Sequence, residues 1–149
     1  MRRLTHGWAG VNQGVPCHVL APATAVDLKQ ILATGEHDSL LACGLGRSYG
    51  DCALNGSGTL IDCRFLNNFL SFDPDSGVLE CEAGVSLLEI NRLVTAAGWM
   101  LPVTPGTQFV TIGGAIANDV HGKNHPREGS FGAHIIALKI VRSNGEVLA

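Results

Sequence analysis

Charge is scarce in this chain of 149 residues: Asp, Glu, Lys and Arg make up 15% of it and leave a formal net charge of -3 at pH 7. Basic residues form no run beyond Arg2 and Arg3, so the electrostatic footprint of a nucleic-acid binder is missing and nucleic acid is excluded as an expected partner. Apolar runs are short as well. None approaches the roughly 20 residues that a membrane span needs, and the start MRRLTHGWAG has no apolar segment behind its charges to direct export. No transmembrane segment is expected, and the expected location is the cytoplasm. The five cysteines, at 17, 43, 52, 63 and 81, include no CxxC pair, which leaves them as unbridged and mostly buried thiols. What is plentiful is apolar residues, at 46%, and glycine, at 19 positions clustered over 44–58, 106–114 and 122–132. Such a composition argues against disorder and for one globular domain with a real core, in which glycines mark close backbone approaches.

Along the chain, residues 15–20 predict a short strand. Pro22, Thr24 and Asp27 then resemble a helix start, with Leu28, Ile31 and Leu32 as its apolar stripe and Gly35 as its stop. Residues 39–43 predict a buried strand. That strand, helix, strand order predicts a small parallel unit, and the stretch GLGRSYGD at 44–51 leaves the carboxyl end of its second strand, the edge where ligands usually sit. Further strands are expected at 59–63, 70–72 and 78–83, the last two separated by the turn residues Asp73 to Gly77. Ser86 and Glu89 spell a capping box, and Ile90, Leu93, Val94 and Ala97 continue a helical face to Gly98. A Pro/Gly loop at 103–106, a short helix at 112–118, a strand at 135–142 and a turn at 143–146 complete the expectation. Because the last strand has no length to pair, the chain reads as the amino-terminal piece of a longer protein.

Three stretches carry the chemistry. In GLGRSYGD, Tyr49 stands where the dinucleotide fingerprint GxGxxG needs its last glycine, and no helical pattern follows, so a Rossmann reading fails. There remain a run of amides bent by glycines into a nest suited to a diphosphate, with Ser48 and Arg47 beside it, or a plain glycine turn. In TPGTQFVTIGGAIAND, at 104–119, Thr111 can cap a helix whose first turn holds Gly113 and Gly114. Its free amides and positive dipole end would then face outward toward an anion, or its glycines would pack closely on a neighbour. In HGKNH, at 121–125, His121 and His125 are spaced for a metal on a helix, yet Gly122 and Pro126 oppose a helix and no HExxH glutamate is present. No metal is expected. A loop presenting imidazole, ammonium and amide suits an anionic or electron-rich ligand, or is a polar surface turn.

Together GLGRSYGD, TPGTQFVTIGGAIANDVHGKNH and the following GSFG resemble the FAD-binding domain of the vanillyl-alcohol oxidase and p-cresol methylhydroxylase (PCMH) flavoproteins, and within that family the decaprenylphosphoryl-ribose 2-oxidase branch. The resemblance implies an α+β fold of the PCMH type, a small parallel βαβ subdomain followed by a mixed sheet with helices. Residues 1–149 would be its amino-terminal part, with the substrate-covering cap domain absent. It implies that Ala42, Cys43, Gly44, Leu45, Gly46, Arg47, Ser48, Tyr49, Gly50, Asp51 and Cys52 wrap the FAD pyrophosphate. Gly106, Thr111, Ile112, Gly113, Gly114, Asn118, Asp119, Val120 and His121 would complete the cradle toward the flavin ring. Tyr49, His121 and Lys123 match family positions near the ring and substrate, which makes them the candidate catalytic residues. In several relatives a histidine at the position of Arg47 bonds covalently to the flavin; arginine cannot, so non-covalent FAD is implied.

The resulting expectation is an FAD-dependent oxidoreductase that oxidises a secondary alcohol of a sugar or polyol by hydride transfer to flavin N5. The alternatives are a lactone or 2-hydroxy-acid oxidase or dehydrogenase on the same fold, or a non-catalytic flavin- or nucleotide-binding module. Where close relatives often read HGKNHH, Pro126 follows His125 and restricts its backbone, so the loop is expected to aim differently. Unpaired sheet edges also make self-association of the chain an expectation.

Overall fold

In the computed structural model the described residues are 2–10, 14–37 and 39–149. They fold as two compact units, Met1–Leu66 with Ala137–Ala149, and Asn67–Ile136.

The first unit is built on β1 (Arg2–Thr5), β2 (Val15–Leu20), α1 (Ala25–Ala33), β3 (Leu40–Cys43) and β4 (Thr59–Asp62), with strand order β1-β2-β4-β3. Helix α1 starts where Thr24 accepts the Asp27 amide at 3.1 Å while the Asp27 carboxylate accepts the Thr24 amide at 3.0 Å. It gives way to Gly35, whose φ of +63° suits the residue that leaves a helix. The expected parallel unit is present, but its two strands are not neighbours: β2 and β3 both run parallel to β4, with Leu20 opposite Ile61 and Leu41 opposite Leu60. Because β4 lies in the middle, all four of its residues are buried, a continuous pattern and not an alternating one.

The β3-to-β4 crossover positions the site. Parallel neighbours are usually joined through a helix, whereas residues 44–58 contain neither helix nor strand, and a structureless connection of that length is usually functional. Its far end is braced by Asn55, whose side-chain amide donates to Ser39 O at 3.2 Å and Thr59 O at 3.0 Å. At the carboxyl end of β4 the buried Asp62 carboxylate is neutralised by Arg64, through Nε at 2.8 Å and a second guanidinium nitrogen at 2.6 Å.

The second unit opens with the hairpin β5 (Phe69–Phe72) and β6 (Leu79–Cys81), closed over the Asp73–Gly77 turn, in which Gly77 N donates to Asp73 O at 2.8 Å. It continues through α2 (Leu87–Thr95), α3 (Ile112–Ala117) and α4 (His125–Glu128). The capping box forms as expected, and Leu87, Ile90 and Val94 of α2 are buried with Val85, Val103, Ala115 and Phe131 in one core. Back in the first unit, β7 (Ile140–Val141) pairs with β8 (Val147–Leu148). The strand expected over 135–142 is therefore reduced to two residues. A strand needs a partner of matching length, and β8 supplies only two residues.

None of the five cysteines is in a disulfide, but only Cys17 is buried; Cys43, Cys63 and Cys81 are half-buried and Cys52 is exposed, so the mostly buried set is corrected. Among the described residues no helix is long and apolar enough to cross a membrane.

Candidate functional site

Strand β3 ends at Ala42 and Cys43, and the chain turns out of the sheet at Gly44. Burial, and then the charge of Asp62, push the Cys43 thiol above its ordinary value. Gly46 and Gly50 have φ of +65° and +63°, and no atom lies within 4 Å of where a side-chain carbon would stand on either. These two glycines answer a demand of conformation, since the left-handed region strains other residues. Left-handed positions next to right-handed ones can turn successive amides toward one side, as in an anion nest, and Gly46 and Gly50 supply the left-handed positions of this loop. Among the described residues, the amides from Leu45 to Gly50 donate to nothing in the chain. Arg47 is engaged: a guanidinium nitrogen donates to Leu45 O at 2.5 Å, and the guanidinium carbon lies 4.3 Å from the ring centroid of Trp8. Ser48 is half-buried, Tyr49 is 84% exposed, and Asp51 and Cys52 close the loop in the open.

The second stretch departs from its expected role. Ile112 N donates to Val85 O at 2.7 Å and Gly113 N to Ala83 O at 2.9 Å. Gly114 N donates to the Thr111 hydroxyl at 3.2 Å, and Ala115 N already bonds Thr111 O. The first turn of α3 thus has no free amide to offer an anion, which overturns the reasoning that placed Gly113 and Gly114 in an amide cradle. Close packing explains the glycines instead: a side-chain carbon on Gly113 would stand 2.9 Å from Ala83 Cβ and 3.0 Å from Ala83 O. Asn118 closes the helix by donating from its side chain to Gly114 O at 2.8 Å. Gly106 is exposed with open space around it.

In the third stretch Asp119, at φ +41°, accepts the Gly132 amide at 2.8 Å. That bond, then one from Ser130 and the charge of His121, hold its carboxyl below the ordinary value of 3.8. Val120 accepts the Phe131 amide at 2.8 Å, and His121 bridges to Ser130, so residues 119–121 are tied to 130–132. Gly122 is buried with the site of a side-chain carbon only 2.6 Å from Thr104 O, and the Asn124 side chain donates to Pro102 O at 2.9 Å. The loop lies on 102–104 and presents His121 and Lys123 in the open. At His125 it becomes α4: Pro126 falls in the first turn, where a missing amide hydrogen is harmless, so the expected loop over 121–125 is shorter by its last residue. The His121 and His125 rings are 5.1 Å apart, and among the described residues no group of three potential ligands forms a metal site.

The structure brings His121 and Lys123 together with the Asp119 brace in the second unit, while Tyr49 and the open amides belong to the first. Sequence reasoning missed Trp8, Ala83 and Thr104. A lone aromatic and two ordinary residues distant in the chain give no local signal.

Residues 16–149 match a family described as an FAD binding domain. This chain belongs to the FAD binding domain family. FAD is accordingly its cofactor, as the resemblance implied, and the open amide row of 45–50 fits a diphosphate while the spent amides of α3 do not. The FAD binding domain is 47% identical over 108 residues to decaprenylphosphoryl-beta-D-ribose oxidase of Mycolicibacterium smegmatis, covering 72% of this chain and 24% of that protein. It is 28% identical over 148 residues to the mitochondrial D-2-hydroxyglutarate dehydrogenase of Arabidopsis thaliana, over 95% of this chain and 26% of that protein. In fold it matches 6-hydroxy-D-nicotine oxidase from Arthrobacter nicotinovorans with a TM-score of 0.76 at 20% identity, over 87% of this chain and 29% of that one, as expected for a PCMH-type α+β domain. The chain spans about a quarter of the length of these relatives.

Proposed function

We propose that the protein holds FAD non-covalently, with the diphosphate on the amides of Leu45 to Gly50, as part of an oxidoreductase that oxidises a secondary alcohol of a sugar or polyol. The observation that carries the reading is that amide row at the carboxyl end of β3, left without acceptors among the described residues. When bound, FAD supplies a hydride acceptor, and the protein's share is orientation and charge. In this reading the Tyr49 or His121 side chain orients the substrate hydroxyl. The Lys123 ammonium offsets negative charge near the ring. Arg47 leaves its position without the imidazole through which several relatives bind flavin covalently.

The likeness to a D-2-hydroxyglutarate dehydrogenase favours a second reading, a 2-hydroxy acid as substrate. The complete gene product loaded with FAD, freed of excess by gel filtration and then acid-precipitated, tests cofactor and linkage. Flavin should co-elute with protein and appear in the acid supernatant; colourless protein refutes FAD binding, and flavin in the pellet refutes the non-covalent claim. Anaerobic mixing with sugar, polyol and 2-hydroxy-acid panels then decides the substrate by which panel bleaches the flavin band. Lys123→Ala should slow that bleaching by at least about tenfold with flavin content retained.

A further inference from the structure

Trp8 follows β1 and is 55% exposed, with no place in the core of its unit. Its indole face instead meets the Arg47 guanidinium, whose carbon is 4.3 Å from the ring centroid, inside the range at which a cation is held by an aromatic ring. The same guanidinium donates to Leu45 O at 2.5 Å. A trans peptide is planar with its C=O and N–H directed oppositely, so fixing the Leu45 carbonyl on one side aims the Gly46 amide at the other. Gly46 has no side chain, nothing lies within 4 Å of where a side-chain carbon would stand on it, and its own φ of +65° makes it the pivot of the loop.

We propose that Trp8 is a positioning residue for FAD: through Arg47 it locks the Leu45–Gly46 peptide so that the amide row is presented to the diphosphate. Arg47 is thereby a brace within the loop and not the counter-charge of the phosphates. The inference rests on the reading that this loop holds FAD.

The test measures FAD affinity of the apo form of the complete gene product by flavin fluorescence titration, for Trp8→Ala, Trp8→Leu, Trp8→Phe, Arg47→Ala and the Trp8→Ala, Arg47→Ala double variant. Trp8→Ala and Trp8→Leu should each weaken FAD by about three- to tenfold, the range set by a partly exposed cation–ring contact, while Trp8→Phe keeps most of the affinity. The double variant should bind no worse than Arg47→Ala alone. Wild-type affinity in Trp8→Leu, or losses that multiply in the double variant, would overturn the brace. If Trp8→Ala fails to fold by circular dichroism, the Leu and Phe variants carry the comparison, since both keep an apolar side chain and only one keeps a ring. A wild-type protein without FAD affinity removes the reading of the loop itself, and the inference with it.

Discussion

Glycines of this chain that look alike in sequence do different things. Gly113 and Gly122 are held by space: a side-chain carbon would press on Ala83 at 2.9 Å in one case and on Thr104 O at 2.6 Å in the other. Gly46 has open space around it and is held by its φ of +65°. Alanine at Gly113 or Gly122 should therefore lower stability by about 1–3 kcal/mol through forced separation of packed backbone. Alanine at Gly46 should cost about 1–2 kcal/mol through the left-handed conformation alone. Asparagine separates the mechanisms, because it tolerates the left-handed region: it should recover part of the loss at Gly46 and none at Gly113 or Gly122 in urea midpoints. Equal recovery at all three would contradict the division. Loss of flavin from a Gly113 variant would follow from displaced packing of α3, whose amides are already committed to Ala83, Val85 and Thr111.

Helix starts are where sequence and structure agree best, because a cap is a contract among residues three positions apart. Thr24 with Asp27 and Ser86 with Glu89 both form reciprocal capping boxes. At α2 the Glu89 carboxylate accepts the Ser86 hydroxyl at 2.5 Å and the Ser86 amide at 2.8 Å, and these two bonds hold it below the ordinary glutamate value of 4.5. A carboxyl depressed in the folded state contributes stability that is fully present above its unfolded value and is lost as pH falls through the folded one. Glu89→Gln should accordingly flatten the acid limb of thermal stability, reducing the loss of melting temperature on going from neutral pH to below 4.5. An unchanged acid limb would show that the box contributes nothing there. Ser86→Ala should cost about 1 kcal/mol at neutral pH by removing the cap itself. Strands agreed less well. The apolar run at 135–142 satisfies every local rule for a strand yet pairs over two residues only, since pairing is decided by what lies alongside.

Across the molecule the five thiols report both units at once. Burial pushes Cys43 and Cys63 up, and burial with the charges of Glu80 and Glu82 pushes Cys81 to about 11, while Cys52 is exposed at the end of the open loop. Iodoacetamide at pH 8 should label Cys52 first and Cys81 slowly, followed peptide by peptide by mass spectrometry, because the thiolate is the reacting form. Saturating FAD should protect Cys52, which borders the loop assigned to the diphosphate; labelling of Cys81 ahead of Cys52 would contradict the structure. The sequence by itself determined the caps, the Asp73–Gly77 turn, the parallel strands and the family, since each is written in residues near one another or in contiguous motifs. Only the tertiary structure decided which glycine-rich stretch keeps its amides open. Whether an amide is spent depends on carbonyls that the fold brings from elsewhere: Ala83 and Val85 consume those of α3, whereas the amides of Leu45 to Gly50 meet no acceptor among the described residues, in a loop braced by Trp8 through Arg47.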